Sequence, residues 1–229
     1  MADNRLEGIR ACVFDAYGTL FDVNSAAERS RARLGEQWLP LADLWRTKQL
    51  QYTWLRAVTG RHADFWEVTG DALDFSMESL GLNDGELRSS LMDLYLHLDA
   101  YPEVEDTLRR LRGAGLATAI LSNGSPRMLS EAVDHAGLRE LLDPLLSVEE
   151  VGVFKPAPAV YQLAVDRLGA APGEICFLSS NGWDAYSAKA FGFRVLWCNR
   201  FGQRPERIPD TPDGEILRLD ELPGRLGLA

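Results

Sequence analysis

The stretch "VFDAYGTLFD", residues 13–22, completes an apolar run and places a carboxylate, Asp15, directly after it. Comparable runs, "LATAILS", "EICFLSS" and "FRVLWC", begin at residues 116, 174 and 193. Each run is followed by a turn and a helical pattern, and this alternation predicts a parallel sheet covered by helices on both faces. We expect one more short strand in "PLLSVEEVGV" and a last one, near the edge, in "GEILRL". The predicted fold class is therefore α/β.

One segment, residues 23–100, breaks the alternation, because it contains helical stretches rich in Trp and Leu and no strand candidate. The pattern predicts helices over residues 26–34, 41–58, 64–80 and 84–98, broken at Pro40, Gly60 and Gly81. The Tyr101-Pro102 pair then returns the chain to the sheet, and a helix is predicted over residues 104–114. We expect a Rossmann-like core domain of residues 1–22 and 101–229, with a helical cap domain of residues 23–100 inserted into it.

Composition and charge limit the classes of molecule that we expect this protein to bind. The 229 residues are 46% hydrophobic and 25% charged, which is typical of a globular protein, and the net charge of −10 disfavours nucleic acid and anionic membranes. The sequence begins without a signal-peptide pattern and contains no apolar run long enough to span a bilayer, so we expect a cytoplasmic protein. The three cysteines lie in apolar runs without C-x-x-C spacing, and we interpret them as reduced core thiols.

Polar residues cluster where the predicted strands end. Asp15 follows the first strand, Ser122-Asn123-Gly124 follows "LATAIL", "SSNGWDA" at residues 179–185 follows "ICFL", and Lys155 lies in the remaining connection. Each of these alone is explained by a helix cap, a turn or a solvated charge. Together they indicate a site, because ligands of an open parallel sheet bind beyond the carboxyl ends of its strands.

These four elements, in this order, resemble the four motifs of the haloacid dehalogenase superfamily, with a helical cap inserted after the first motif. The stretches "DAYGTLFD", "LWRTKQLQYTWLR", "LSNG", "GVFKPAPAVYQLA" and "SSNGWDA" are similar to those of the L-2-haloacid dehalogenases in particular. The resemblance implies an enzyme that hydrolyses short L-2-haloacids to D-2-hydroxyacids through an aspartyl-ester intermediate. It also implies a small 2-haloacid as the partner, no cofactor, and a homodimer to which apolar cap surface could contribute.

Two replacements explain why this chain departs from the phosphatases of the same superfamily. A phosphatase has a second aspartate where this chain has Tyr17, because the alkoxide that leaves a phosphate ester must be protonated. A departing halide is a weak base and needs no general acid, and a tyrosine with a pKa of about 10 is a poor one. Ser180 likewise replaces a carboxylate that holds Mg²⁺ in phosphatases, so we expect no metal.

The reaction at C2 requires an anionic nucleophile, and we assign Asp15 to this role, with Lys155 keeping it ionised beside an anionic substrate. An ammonium about 4 Å from a carboxylate contributes roughly 4 kcal/mol at an effective dielectric of about 20. The resemblance places Arg46 on the cap, over the nucleophile, where its guanidinium meets either the departing halide or the substrate carboxylate. A surface arginine on an amphipathic helix is the alternative for Arg46.

The resemblance also implies supporting roles. Ser122 would donate to the substrate carboxylate, Asn123 would help to bind the halide, and Thr19 and Ser179 would orient Asp15. Asp184, with Asn181, would activate the water that attacks the ester. Tyr161 matches a further active-site position of the family, and Tyr17 is predicted to bind substrate or halide. Leu50, Phe65 and Trp183 correspond to the apolar wall of the site. For Leu50, Phe65 and Trp183, simple core packing is an equal alternative.

Two other functions stay open at this stage. A small-molecule phosphatase of the same superfamily is disfavoured by Tyr17 and Ser180, and dependence on Mg²⁺ would revive it. A non-catalytic domain that binds an anion is disfavoured because Asp15, Lys155 and Asp184 are all present.

Overall fold

The computed structural model describes residues 5–228. Its sheet has six parallel strands in the order β3-β2-β1-β4-β5-β6. The strands are β1 Ala11–Phe14, β2 Ala117–Ser122, β3 Leu145–Ser147, β4 Ile175–Ser179, β5 Arg194–Cys198 and β6 Gly214–Ile216. The α/β prediction is confirmed, and each run that the sequence marked as a strand forms one.

The strand order explains where a site can form. Strand β1 lies in the middle, with Phe14 paired to Ile120 of β2 on one side and to Leu178 of β4 on the other. The order of the strands reverses between β1 and β4, and ligands of open α/β sheets bind at such a switch point. Asp15 continues the β1–β4 pairing by one bond, from its N–H to the Leu178 carbonyl at 2.9 Å. The nucleophile candidate is thus held by the sheet itself.

Helices cover the sheet and form the cap. In the cap segment these are α1 Ser25–Arg29, α2 Arg31–Leu34, α3 Trp38–Thr59, α4 Phe65–Ser79 and α5 Gly85–Leu96. The core helices are α6 Val104–Gly113, α7 Pro126–His135, α8 Pro158–Leu168, α9 Gly182–Phe191 and α10 Leu222–Arg225. Short 3₁₀ turns lie at Gly35–Gln37, Arg139–Leu141, Val148–Glu150, Pro172–Glu174 and Leu219–Glu221. The fold is therefore a Rossmann-like core with an inserted helical cap, as predicted.

The predicted helix break at Pro40 is wrong. Helix α3 begins at Trp38 and runs through Pro40 to Thr59, because Pro40 lies in the first turn, where a backbone N–H has no intrahelical acceptor to lose. The predicted helix over residues 26–34 is instead two short helices that meet at Ser30. The breaks at Gly60 and Gly81 are confirmed, and Gly60 ends α3 with a left-handed φ of 65°.

The chain leaves and re-enters the core at one place. Phe21 and Ala100 form an antiparallel bridge, the Asp22 N–H donates to the Asp99 carbonyl at 2.9 Å, and the Tyr101 N–H donates to the Leu20 carbonyl at 3.0 Å. These contacts lie close to the domain boundaries expected between residues 22 and 23 and between residues 100 and 101. The boundaries themselves stay a prediction.

A second contact joins the cap loop after α3 to the core. The His62 ring packs on Phe154, with ring centroids 4.7 Å apart, and its Nε2 lies 2.9 Å from Oε2 of Glu149. Phe154 directly precedes Lys155 in the chain. The cap is therefore tied to the core beside the predicted site as well as at the crossing of residues 21 and 100.

The three cysteines, Cys12, Cys176 and Cys198, are buried and carry free thiols, as the sequence predicts. Within residues 5–228, no helix has the length and apolar character needed to cross a membrane.

Gly124 permits a close contact between two loops of the core. A Cβ at this position would lie 2.7 Å from Cε2 and 3.0 Å from the hydroxyl oxygen of Tyr17. The Tyr17 ring cannot easily yield, because it stacks on Tyr95 at a centroid distance of 5.5 Å and packs against Phe65 at 5.9 Å. Only glycine therefore fits between the loop after β2 and Tyr17.

We predict that Gly124→Ala lowers the free energy of unfolding by about 1–3 kcal/mol, the usual cost of overpacking. The matched control is Gly113→Ala in α6, where an added Cβ would meet no atom within 4 Å. Gly113→Ala should raise the free energy of unfolding by roughly 0.5 kcal/mol, because alanine loses less backbone entropy than glycine when the helix forms. Urea denaturation measures both values, and equal stability of Gly124→Ala and the wild type would contradict the tight contact.

Candidate active site

Asp15 is buried, and its carboxylate is surrounded by donors. The Lys155 ammonium lies 3.1 Å from Oδ1, and the Asn181 amide donates to Oδ2 at 2.8 Å. The Thr19 hydroxyl donates to Oδ2 at 3.3 Å, and the Ser179 hydroxyl lies 3.5 Å from the same oxygen, at the outer limit of a hydrogen bond. These contacts fix the side chain and stabilise its negative charge.

Lys155 lies between two carboxylates. Its ammonium is 3.1 Å from Asp15 and 2.8 Å from Oδ2 of Asp184, and all three side chains are almost fully buried. Burial opposes the charged form of Lys155, but attraction to Asp15 and Asp184 outweighs it and raises the pKa of the ammonium above its usual value. Lys155 therefore stays cationic and compensates both carboxylates.

Asp184 differs from Asp15 in its partners. Its Oδ1 accepts a hydrogen bond from the Tyr161 hydroxyl at 2.8 Å, and its Oδ2 binds Lys155. Burial raises the pKa of Asp184, and the nearby charge of Asp15 raises it further, while Lys155 and Tyr161 act against them. A carboxylate with a raised pKa is a stronger base than an exposed one, which suits it to take a proton from water.

Tyr161 acts as a neutral donor. Burial raises the pKa of its hydroxyl well above the usual value, and the charge of Asp184 adds to this effect. The phenol therefore keeps its proton and points it at Oδ1 of Asp184.

The loop after β4 links the two sides of the site. The Ser180 N–H donates to the Thr19 hydroxyl at 2.8 Å, and the Asn181 N–H donates to the Ser179 hydroxyl at 3.2 Å. The Asn181 side chain donates to the Tyr17 carbonyl at 3.2 Å as well as to Asp15. The loops after β1 and β4 are thereby held in register around the nucleophile candidate.

Ser122 and Asn123 lie at the end of β2, and neither is a hydrogen-bond partner of Asp15. The Ser122 hydroxyl accepts from the Gly124 N–H at 3.0 Å, and the Asn123 side-chain oxygen accepts from the Lys155 N–H at 3.0 Å. Asn123 thus anchors the backbone that carries Lys155. The predicted roles of both residues toward substrate and halide stay predictions.

Arg46 reaches from the cap to the core. It lies on α3, and its guanidinium donates to the Asn181 side-chain oxygen at 3.2 Å and lies 3.5 Å from the Tyr17 carbonyl. Because Asn181 also binds Asp15, it connects Arg46 directly to the nucleophile candidate. The alternative of a surface arginine with no link to the site does not fit this position.

A cleft of about 410 Å³ opens between cap and core at Arg46. Cap residues Ala42, Arg46 and Leu50 face core residues Asn181 and Trp183 across it. Leu50 and Trp183 are half-buried, and the Trp183 ring meets Trp54 edge-on at 5.5 Å. These two apolar side chains therefore line a space that a small molecule can enter.

Tyr17 and Phe65 lie deeper than the cleft. Both are buried and pack together, and neither is among the residues that line the cleft. Burial raises the pKa of the Tyr17 hydroxyl well above its usual value, and the charges of Tyr95 and Asp15 act in the same direction. The Tyr17 phenol is therefore a still weaker acid here than in water.

Sequence reasoning missed four residues around the site. Gln49 binds Arg46, Tyr95 stacks on Tyr17, Phe154 packs on Phe65, and Arg200 donates to the Thr19 carbonyl at 3.0 Å. Gln49 could have been found, because it lies three residues after Arg46 and therefore on the same face of the helix. The other three depend on contacts between distant parts of the chain, for which the sequence carries no local signal.

Within the described residues, no group of three or more His, Cys, Asp or Glu side chains could hold a metal ion. The expectation that the protein works without a metal stays a prediction.

The chain matches a family model described as haloacid dehalogenase-like hydrolase over residues 9–192. It is 47% identical to (S)-2-haloacid dehalogenase 1 of Pseudomonas sp. (strain CBS-3), with 95% of this chain and 96% of that protein covered. It is 46% identical to the (S)-2-haloacid dehalogenase of Pseudomonas sp. (strain YL), with 93% of each chain covered.

Solved structures of dehalogenases are also similar to this chain. The L-2-haloacid dehalogenase of Xanthobacter autotrophicus with chloropropionic acid covalently bound has a TM-score of 0.88 at 39% identity, with 94% of this chain and 97% of that chain covered. A dehalogenase with an intermediate complex reaches a TM-score of 0.95 at 42% identity, with 97% and 99% covered.

Proposed function

The chain belongs to the haloacid dehalogenase-like hydrolases, and we propose that it hydrolyses short L-2-haloacids to D-2-hydroxyacids and halide. The observation that carries this proposal is Asp15, whose carboxyl oxygens are held by Lys155 and Asn181, with a neutral Tyr17 where a phosphatase has its acid. The names of the full-length relatives support the same substrate class.

In the first step, an Asp15 carboxylate oxygen attacks C2 of the haloacid from the side opposite the halogen. A bond forms between this oxygen and C2, the carbon–halogen bond breaks, and its electron pair leaves with the halide. Attack from the rear inverts C2, so an L substrate gives a D product. Thr19, Asn181 and Lys155 hold the carboxylate at a fixed angle for this attack.

The departing halide needs hydrogen-bond donors and no general acid. Arg46 supplies guanidinium donors at the cleft, and Leu50 and Trp183 exclude water around it. The buried Tyr17 phenol stays protonated throughout, because its pKa is raised. We propose that Ser122 and the loop that it stabilises bind the substrate carboxylate, with Asn123 close to the halide.

In the second step, water attacks the carbonyl carbon of the Asp15 ester. Asp184 accepts a proton from the water, and Lys155, which contacts both carboxyl groups, stabilises negative charge as it develops on the ester oxygen. The tetrahedral intermediate then expels the hydroxyacid oxygen, which takes the proton back from Asp184. The carboxylic acid formed on Asp15 releases its remaining proton to solvent, so Asp15 is restored as a carboxylate that contains one oxygen from water.

We propose that the protein is a homodimer that uses apolar surface of the cap. Leu55 and Val58 of α3 and Phe75 of α4 are exposed, and Val58 is 88% exposed. Because exposed apolar side chains that lie close together mark interaction surfaces, this face suits a second copy of the chain. Sedimentation velocity decides the oligomeric state, and a monomer at micromolar concentration would contradict the proposal.

The three free, buried thiols suit a reducing compartment, and we propose a cytoplasmic location. Fractionation of the source cells tests it, and recovery outside the cytoplasm would contradict it.

The first prediction is that the purified protein releases halide from L-2-chloropropionate, that EDTA leaves the rate unchanged, and that p-nitrophenyl phosphate is a poor substrate. The physical reason is that a halide leaves without a general acid, so the weakly acidic Tyr17 phenol is sufficient, and that Ser180 is no ligand for the Mg²⁺ that a phosphatase of the superfamily holds. Ion chromatography measures halide and absorbance measures nitrophenolate. Mg²⁺-dependent phosphate release that outpaces halide release would establish the phosphatase alternative, and no turnover of either substrate would favour the anion-binding domain.

The second prediction concerns the ester. In a single turnover in H₂¹⁸O with enzyme in excess, the hydroxyacid should be largely unlabelled, because its new oxygen comes from Asp15, and the Asp15 peptide should gain ¹⁸O. Asp15→Ala should abolish halide release in a folded protein. Mass spectrometry of product and peptide measures both. Labelled hydroxyacid in the first turnover would mean direct attack by water.

The third prediction uses the raised pKa of Asp184. Activity requires the deprotonated base, so turnover should fall as the pH drops through this pKa, at a pH above the ordinary aspartate value of about 3.9. Tyr161→Phe removes a donor to the ionised carboxylate, raises this pKa further and should shift the acidic limb to higher pH. Halide release across pH measures the limb.

The control for this pH profile is Tyr186→Phe. Tyr186 is also buried on α9 but is not among the hydrogen-bond partners of Asp184. The acidic limb of the Tyr186→Phe profile should coincide with that of the wild type. If the limb of Tyr161→Phe is also unshifted, Asp184 is not the base.

A further inference from the structure

Arg46 requires a support that the catalytic residues do not supply. Its side chain is long and flexible, and it crosses from the cap to the core to reach Asn181. Both core contacts are long, at 3.2 Å to Asn181 and 3.5 Å to the Tyr17 carbonyl. The short contact is with Gln49 on the same helix, where the guanidinium donates to the side-chain oxygen at 2.7 Å.

The amide of Gln49 can adopt only one orientation. The Thr69 hydroxyl donates its single hydrogen to the Phe65 carbonyl at 2.6 Å, so toward Gln49 its oxygen can only accept. The Gln49 nitrogen must therefore face Thr69, which it does at 2.8 Å, and the Gln49 oxygen must face Arg46. Both Gln49 and Thr69 are buried.

Two aromatic residues hold this arrangement in place. The Trp45 indole N–H donates to the Thr69 carbonyl at 2.8 Å, which fixes α4 against α3. The Tyr95 hydroxyl lies 3.1 Å from the Gln49 nitrogen and 3.2 Å from its oxygen, and the Tyr95 ring stacks on Tyr17 of the core. Gln49, which lies on α3, is thus tied to α4 through Thr69 and, through Tyr95 of α5, to the loop that carries Asp15.

A small cavity lies beside Arg46. Its volume is about 10 Å³, roughly the room that one water needs, and Trp45, Arg46, Gln49 and Tyr95 are among its lining residues. Without the Gln49 side chain this space would enlarge, and the guanidinium could retract into it, away from Asn181.

We propose that Gln49 is a positioning residue, which fixes the guanidinium of Arg46 over Asp15 through the chain Thr69–Gln49–Arg46. The role of Arg46 in the reaction rests on the proposed function, whereas the orientation of its guanidinium does not. Gln49 itself touches neither substrate nor nucleophile and acts through Arg46.

The first test compares two buried hydroxyls of α4. Thr69 donates to the Phe65 carbonyl, and Ser76 donates to the Ala72 carbonyl at 2.7 Å in the same way, but only Thr69 accepts from Gln49. Thr69→Val should reduce turnover of 2-chloropropionate by about 3- to 10-fold, the effect of one lost hydrogen bond. Ser76→Ala should leave it within about twofold. Equal turnover of the two variants would overturn the proposal.

The second test is a double-mutant cycle. Gln49→Leu and Arg46→Lys should each cost about 100-fold in turnover, the former because a misplaced guanidinium no longer meets the reacting groups. If Gln49 acts through Arg46, adding Gln49→Leu to Arg46→Lys should cost no more than about twofold. The proposal is overturned if the double variant loses turnover by the product of the two single losses while its circular dichroism is that of the wild type. Gln49 would then have a structural role separate from Arg46.

Binding of bromide, followed by calorimetry, separates this inference from the proposed function. Absence of halide release by the wild type would refute the proposed function alone. Bromide affinity should still fall about tenfold in Thr69→Val and Gln49→Leu and stay unchanged in Ser76→Ala, because binding needs the oriented guanidinium and no turnover. Equal bromide affinity in all these variants would overturn the role of Gln49.

Discussion

An ammonium buried between two carboxylates is the interaction on which the rest of the site depends. Lys155 contacts Asp15 and Asp184, and none of the three has enough water around it to be stable alone. Removal of Lys155 would leave two buried carboxylates without their counter-charge, and an uncompensated buried charge typically costs about 3–5 kcal/mol. Three separate connections of the sheet supply these residues, after β1, after β3 and at the start of α9, so the charges also hold the connections together.

The core of the site follows from the sequence because local rules and sheet geometry act together. Apolar runs that end in Asp15, Ser122 and Ser179 predict strands, and parallel strands bring their carboxyl ends to one edge. Tyr161 was assigned to the site by family likeness alone, and its contact with Asp184 was not predicted, since the two residues lie on different helices. Thr19 and Asn181 were assigned in the same way, and the structure places both against Asp15.

The cap was harder to predict in detail. Pro40 signals a break by its chemistry, yet a first turn tolerates it, and no local pattern distinguishes that turn from a helix end. Phe65 was assigned to a wall of the pocket, and the structure packs it against Tyr17. Glutamine is usually a surface residue, and the burial of Gln49 depends on Thr69 and Tyr95 from two other helices. Such residues need a three-dimensional arrangement before their roles can be recognised.

The contact between Gly124 and Tyr17 also limits which residues position 17 can accept, and position 17 is where a phosphatase of the superfamily has its acid. Tyr17 fills a space bounded by Gly124, Phe65 and Tyr95, which come from the core and from two cap helices. An aspartate at position 17 would leave a cavity there and a buried carboxylate near Asp15, and either alone is destabilising. A single substitution at position 17 would therefore place the acid of a phosphatase in a space that Gly124, Phe65 and Tyr95 shape for an aromatic ring, so a stable acidic variant would need matching changes in both the core and the cap.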